Sequence, residues 1–79
     1  MANYETEIKD ILEKILRIRI AELNFEPSSD ALDSWDSLAH MKIVLSLEEA
    51  FSIQFTEKEI ESITSYALIK TAVLAKLNG

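Results

Sequence analysis

Apolar residues in this chain recur at helical spacing and nowhere alternate, which restricts it to helices packed on helices. Ile8, Ile11, Leu12, Ile15 and Leu16 fall at i, i+3, i+4, i+7 and i+8, one face of a helix. Asn3 suits the N-cap, Glu5, Glu7 and Asp10 lie near the start, and Lys14, Arg17 and Arg19 lie near the end, as the helix dipole favours. A first helix is expected from about Tyr4 to about Arg19. A second starts at Asp36 or Ser37, with Asp36 the better cap. Its expected inner stripe is Leu38, Met41, Val44, Leu45, Leu47 and Phe51, opposite His40, Lys42 and Glu49, with Glu48 near the boundary. Ile53 and Phe55 return toward the core. Thr56-Glu57-Lys58-Glu59 is a capping box opening a short third helix that ends near Ser62, with Ile60 and Ile63 inward. Thr64 or Ser65 caps a fourth, whose inner face follows Tyr66, Ile69, Val73 and Leu77 with Ala72 beside them, and Asn78-Gly79 ends it. The expected fold is all-α: a small four-helix bundle of three main helices and one short one, a single domain over residues 1–79.

The segment from Ile20 to Asp36 keeps no period and contains Pro27-Ser28-Ser29-Asp30, a turn composition. So long a connection in a small domain is usually functional. It is expected to be ordered, with one short helical turn, and pinned to the core by Leu23, Phe25, Leu32 and Trp35.

The apolar content of 48% suffices for one core and argues against disorder. No Cys is present, which removes disulfides and thiolate metal sites. No apolar run approaches the roughly 20 residues needed to span a bilayer. The start, Met1-Ala2-Asn3-Tyr4-Glu5, lacks a signal-peptide pattern, so a cytoplasmic protein is expected. The net charge of −6 is concentrated: Asp30 to Glu61 holds eight acids against Lys42 and Lys58, while six acids and six bases balance elsewhere. An acidic centre disfavours nucleic acid and anionic membrane and favours partners with basic patches. The competing reading is a solvated face that keeps a small protein soluble. With no surplus apolar face in the pattern, a monomer is expected.

Chemistry-bearing residues are few. Asp30, Asp33 and Asp36 are spaced three apart, whereas a calcium loop needs acids two apart, a central Gly and a distal Glu, so no specific metal site is expected. His40 follows Ser37 by about one turn, but neither an orienting acid nor a glycine-flanked serine turn accompanies the pair, so catalysis is not expected. His40 reads as a surface residue near a partner-binding end. Trp35 reads first as a loop anchor and secondly as a contact hot spot. Ser37 is the informative residue. A long loop ends there and an amphipathic helix begins, which leaves the hydroxyl exposed beside free N–H groups and a positive dipole end.

Asp36-Ser37-Leu38, then Met41, Val44 and Leu45, then Leu47-Glu48-Glu49-Ala50-Phe51 resemble the acyl carrier protein family. Phe55-Thr56-Glu57-Lys58-Glu59-Ile60 resembles that family's short third helix, and Ile63-Thr64 the entry to its last one. The likeness registers without gaps from Trp35 to Thr64 and implies a free-standing acyl-carrier-like fold. It implies a covalent 4'-phosphopantetheine arm on Ser37, with Asp36 and Leu38 forming the attachment motif. A phosphopantetheinyl transferase would add the arm from coenzyme A with Mg²⁺, and its thiol would carry acyl groups as thioesters. Acyl-loading and acyl-processing enzymes with basic docking patches would meet Trp35, His40, Met41, Lys42, Glu48, Glu49 and Glu57. The protein would then be a carrier and no enzyme.

The sequence also departs from that pattern. Ser34-Trp35 stand where Gly-Ala is usual, Ala39 and Ala50 where acids are common, and Lys42 where a Glu marks the partner face. These differences imply a specialised carrier for a lipid, polyketide or aminoacyl pathway. The alternative from another class is a small acidic helical interaction module without a prosthetic group, which would need no particular residue at position 37.

Overall fold

The computed structural model describes residues 3–78; the expectations placed on Met1, Ala2 and Gly79 lie outside them. The helices are α1 (Tyr4–Leu16), α2 (Ser37–Phe51), α3 (Glu57–Ser62) and α4 (Tyr66–Asn78). One 3-10 turn, Ile20–Glu22, supplies the short helical piece expected within the long connection. Ile8, Leu12 and Leu16 of α1, Ile43, Val44 and Leu47 of α2, and Ile69 and Val73 of α4 form the fully buried core. Trp35, Phe55 and Ile63 close it from the connecting segments. α1 packs against both α2 and α4.

Local chemistry sets the starts. The Asn3 side chain accepts from the Glu5 N–H at 2.9 Å, and Asp36 from that of Ala39 at 2.8 Å. Thr56 and Glu59 complete the capping box in both directions. The Ser65 hydroxyl accepts from the Leu68 N–H at 3.1 Å, and the Glu26 carboxylate, far away in sequence, accepts from that of Ala67 at 2.6 Å.

The ends repeat a device. α1 stops at Leu16, three residues before the expected end, because Arg17 turns left-handed (φ 59°, ψ 48°). The Arg17 and Ile18 N–H groups both return to the Glu13 carbonyl, and the Glu13 carboxylate accepts from the Ile20 N–H at 2.8 Å. α2 ends the same way. Ser52 is left-handed (φ 54°, ψ 48°), Ser52 and Ile53 return to the Glu48 carbonyl, and the Glu48 carboxylate accepts from the Phe55 N–H at 2.9 Å.

Several apolar assignments need correction. Leu38, Met41 and Leu45 are exposed, and the buried row of α2 is Ala39, Ile43, Val44 and Leu47. Apolar residues surround most of α2, so its own pattern does not choose which row turns inward. Leu77 is exposed on α4, since Lys76 instead turns toward Glu59 and Phe55. Phe25 is exposed and Leu23 is not packed on the core cluster; Leu32 and Trp35 anchor the connection as expected, joined by Ile18 and Ile20. Surplus apolar residues therefore do lie on the surface, on α2 and on α4, which removes the ground for expecting a monomer. No helix among the described residues is long and apolar enough to cross a membrane.

Candidate functional site

The site is built around the first turn of α2. Asp36 keeps extended backbone (φ −92°, ψ −174°) and places its carboxylate on the Ala39 N–H, while its carbonyl accepts from the His40 N–H at 2.8 Å. Ser37 is the first helical residue and is exposed. The first N–H groups of a helix have no intrahelical acceptor. Asp36 satisfies that of Ala39, which leaves those of Ser37 and Leu38 at the positive end of the dipole. Such an end suits an anionic group.

Beneath this turn lies a three-part bridge. Trp35 is 3% exposed, so its indole is an anchor and not a surface contact. Its Nε1 donates to His40 Nδ1 at 2.9 Å, and the rings stack with centroids 6.1 Å apart. His40 Nε2 lies 2.7 Å from the Ile60 carbonyl oxygen of α3. An indole N–H only donates and a carbonyl only accepts, so His40 is the tautomer with its proton on Nε2. The reading of His40 as a surface residue is therefore corrected: it is half-buried, with both nitrogens engaged by Trp35 and Ile60. It supplies no base to Ser37.

An open hollow of about 490 Å³ adjoins the serine. Trp35, Asp36, Ser37, His40 and Met41 line it together with Ser29 and Thr64. Sequence reasoning missed the last two residues. They arrive by a pairing between distant segments, Ser29 N–H to the Thr64 carbonyl at 2.9 Å and Tyr66 N–H to the Pro27 carbonyl at 2.9 Å. No short-range signal announces that pairing.

The outer face of α2 continues from the serine. Leu38, Met41 and Leu45 are 68%, 43% and 61% exposed, an apolar row at i, i+3 and i+7. Lys42 stands exposed beside it as the single cation of α2. Glu49 is exposed near the far end, whereas Glu48 is half-buried and spends one oxygen on Phe55. Glu57 is exposed at the start of α3. Among the described residues, no three His, Cys, Asp or Glu side chains converge as a metal-ligand group.

Two titrating groups away from the serine are perturbed. Hydrogen bonding to Lys76, at 2.9 Å, followed by the Thr56 N–H, holds Glu59 below the usual carboxylate range. Partial burial, followed by the charges of Glu5, Glu13 and Glu26, raises Tyr66 above the usual phenol range.

Fold and site together define a class: a small acidic helical bundle that presents one serine at a helix start. No family model matches the chain. It is similar to the acyl carrier protein of Buchnera aphidicola subsp. Schizaphis graminum, being 33% identical over 66 residues that cover 82% of each chain. The chain belongs to the acyl carrier protein family. That membership supports a non-catalytic carrier role in acyl-chain biosynthesis.

Proposed function

We propose that this protein holds acyl intermediates as thioesters on a 4'-phosphopantetheine arm attached to Ser37 and delivers them to partner enzymes. The observation that carries the reading is the placement of Ser37, an exposed hydroxyl on the first turn of α2 in a chain of this family. The surroundings fit the group. The N–H groups of Ser37 and Leu38 and the helix dipole favour the phosphodiester, and the adjoining hollow leaves room beside the oxygen for the arm to depart. When bound, the arm supplies the thiol that bears the acyl group. The chain's own residues fix the attachment point: Asp36 starts the helix, and Trp35 anchors the preceding loop.

A phosphopantetheinyl transferase would install the arm, and cytoplasmic acyl-loading and acyl-processing enzymes would use it. They would dock on the Leu38, Met41 and Leu45 row, with basic groups facing Glu49 and Glu57. Lys42 beside that row favours a restricted set of partners in a specialised lipid, polyketide or aminoacyl pathway. The same exposed row would also serve an interaction module without an arm.

Intact mass separates the two readings. Wild type and Ser37→Ala are incubated with a broad-specificity phosphopantetheinyl transferase, coenzyme A and Mg²⁺. One phosphopantetheine gain in wild type alone is expected. No gain in wild type, with a control carrier modified in parallel and a native preparation also lacking the added mass, overturns the proposal.

A further inference from the structure

His40 is the single histidine of the chain and Trp35 its single tryptophan, and the two are hydrogen-bonded to each other. The bond belongs to a chain of three partners drawn from three parts of the fold. Trp35 ends the long loop, His40 sits in the first turn of α2, and Ile60 belongs to the short helix α3. α3 has six residues and no fully buried side chain of its own, so few contacts fix it. Among the described residues, the Glu59–Lys76 pair and the partly buried Ile60 also tie it to its neighbours.

We propose that His40 is a pH-sensitive latch: neutral, it ties the loop and α3 to the start of α2, and protonated, it lets go. The bridge requires Nδ1 to be an unprotonated acceptor, because the indole facing it can only donate. A proton taken up at Nδ1 sets an N–H against an N–H. The ring then turns away from Trp35, which leaves a buried indole N–H without its acceptor. Imidazole is the one side chain whose ordinary charge change falls between about pH 5 and about pH 8.

The two groups that meet the imidazole are uncharged, an indole and a carbonyl. The charged groups on the elements packed around it have other engagements or face solvent. In the loop, Asp30 and Asp33 are exposed and Asp36 caps Ala39; on α2, Lys42 and Glu49 are exposed and Glu48 is bound to the Phe55 N–H. On α3, Glu57, Lys58 and Glu61 are exposed and Glu59 is bound to Lys76 of α4. Tyr66 and Lys70 of α4 lie against each other. None of them is hydrogen-bonded to the ring.

Because His40 lines the hollow beside Ser37, the latch would also set the shape of that hollow. That consequence alone rests on the reading of Ser37 given above; the latch itself does not.

The test is a pH titration of Trp35 emission in the full-length chain, wild type beside His40→Gln. The wild type is expected to show a step in emission on acidification before the chain unfolds, and His40→Gln is expected to lack that step while keeping the later acid unfolding common to both. An identical step in both proteins overturns the latch. Nitrogen-15 spectra of the wild-type imidazole at neutral pH give a second reading that does not require the variant to fold. Protonated Nε2 with bare Nδ1 is expected, and the opposite tautomer overturns the proposal.

Discussion

α1 and α2 end in the same way and differ on the side that faces out. Each closes with a left-handed residue, Arg17 or Ser52, and in each a glutamate three residues before the last helical residue, Glu13 or Glu48, accepts a backbone N–H seven residues on. A left-handed non-glycine residue costs about 1–2 kcal/mol, which these extra bonds offset. The outer faces diverge. α1 leaves no large apolar residue fully exposed among the described positions, whereas α2 exposes Leu38, Met41 and Leu45. Solubility alone would have favoured polar residues there. The difference teaches that the pattern of α1 is accounted for by the fold alone, while α2 builds the core with one face and leaves the other uncovered for the docking proposed above.

The sharpest way to break this comparison is to shorten one leucine on each helix. Leu12 is fully buried in α1, and Leu12→Ala is expected to cost about 2–5 kcal/mol through lost burial and a residual cavity. Leu45→Ala, at a position 61% exposed on α2, is expected to change stability by no more than about 0.5 kcal/mol. Urea unfolding followed by circular dichroism measures both. A loss at Leu45 comparable to that at Leu12 would mean that the α2 row is part of the core after all.

The same contrast explains what could be read from the sequence. α1 is polar on one side and apolar on the other, so its period alone identifies Ile8, Leu12 and Leu16 as core. α2 is apolar on nearly every side, and its period admits two rows. The row that turns inward is the one that packs with α1 in the core, and the hydropathy of α2 by itself does not reveal that. The starts of helices were legible because caps are local: Asn3, Asp36 and the Thr56 box act within three residues. The ends near Ser62 and Asn78 fell where expected, but that of α1 did not, because the chain has a single glycine, at position 79, and so carries no glycine to mark the reversal at Arg17. That is why α1 was expected to run to Arg19. At the site, the exposure of Ser37 followed from the loop-to-helix boundary. Ser29 and Thr64 reach the hollow only through tertiary pairing.

A smaller effect is expected from charge on the outer row. Lys42→Glu leaves the buried face of α2 untouched, and its stability change is expected to stay within about 0.5 kcal/mol. Its effect belongs to docking. If the Leu38, Met41 and Leu45 row meets partners, an acid at position 42 is expected to improve loading by enzymes with uniformly basic docking surfaces and to slow loading by the protein's own partners. Parallel loading rates for the two proteins, with one enzyme of each kind, measure the exchange. Unchanged rates with both enzymes would move the partner surface away from α2.

The smallest effect concerns the contact that keeps α3 beside α4. Hydrogen bonding to Lys76 and to the Thr56 N–H holds Glu59 below the usual carboxylate range in the folded protein. Its folded-state affinity for a proton is thus lower than in the unfolded chain, so its contribution to stability is present above the ordinary carboxylate range and is lost as pH falls through the lowered one. The side chain is solvent-exposed and the pair is screened, so the loss is expected to be slight and to shrink further in high salt. Amide exchange read separately in α3 and α1 detects it, with protection in α3 falling first on acidification and Glu59→Gln removing part of that early loss. The proposed His40 latch acts on the same helix, so Glu59→Gln combined with His40→Gln separates the two releases. A double variant in which α3 still opens ahead of α1 by the wild-type margin would show that neither group holds α3. The asymmetry between a rigid α1 and a releasable α3 would then need a cause in packing alone.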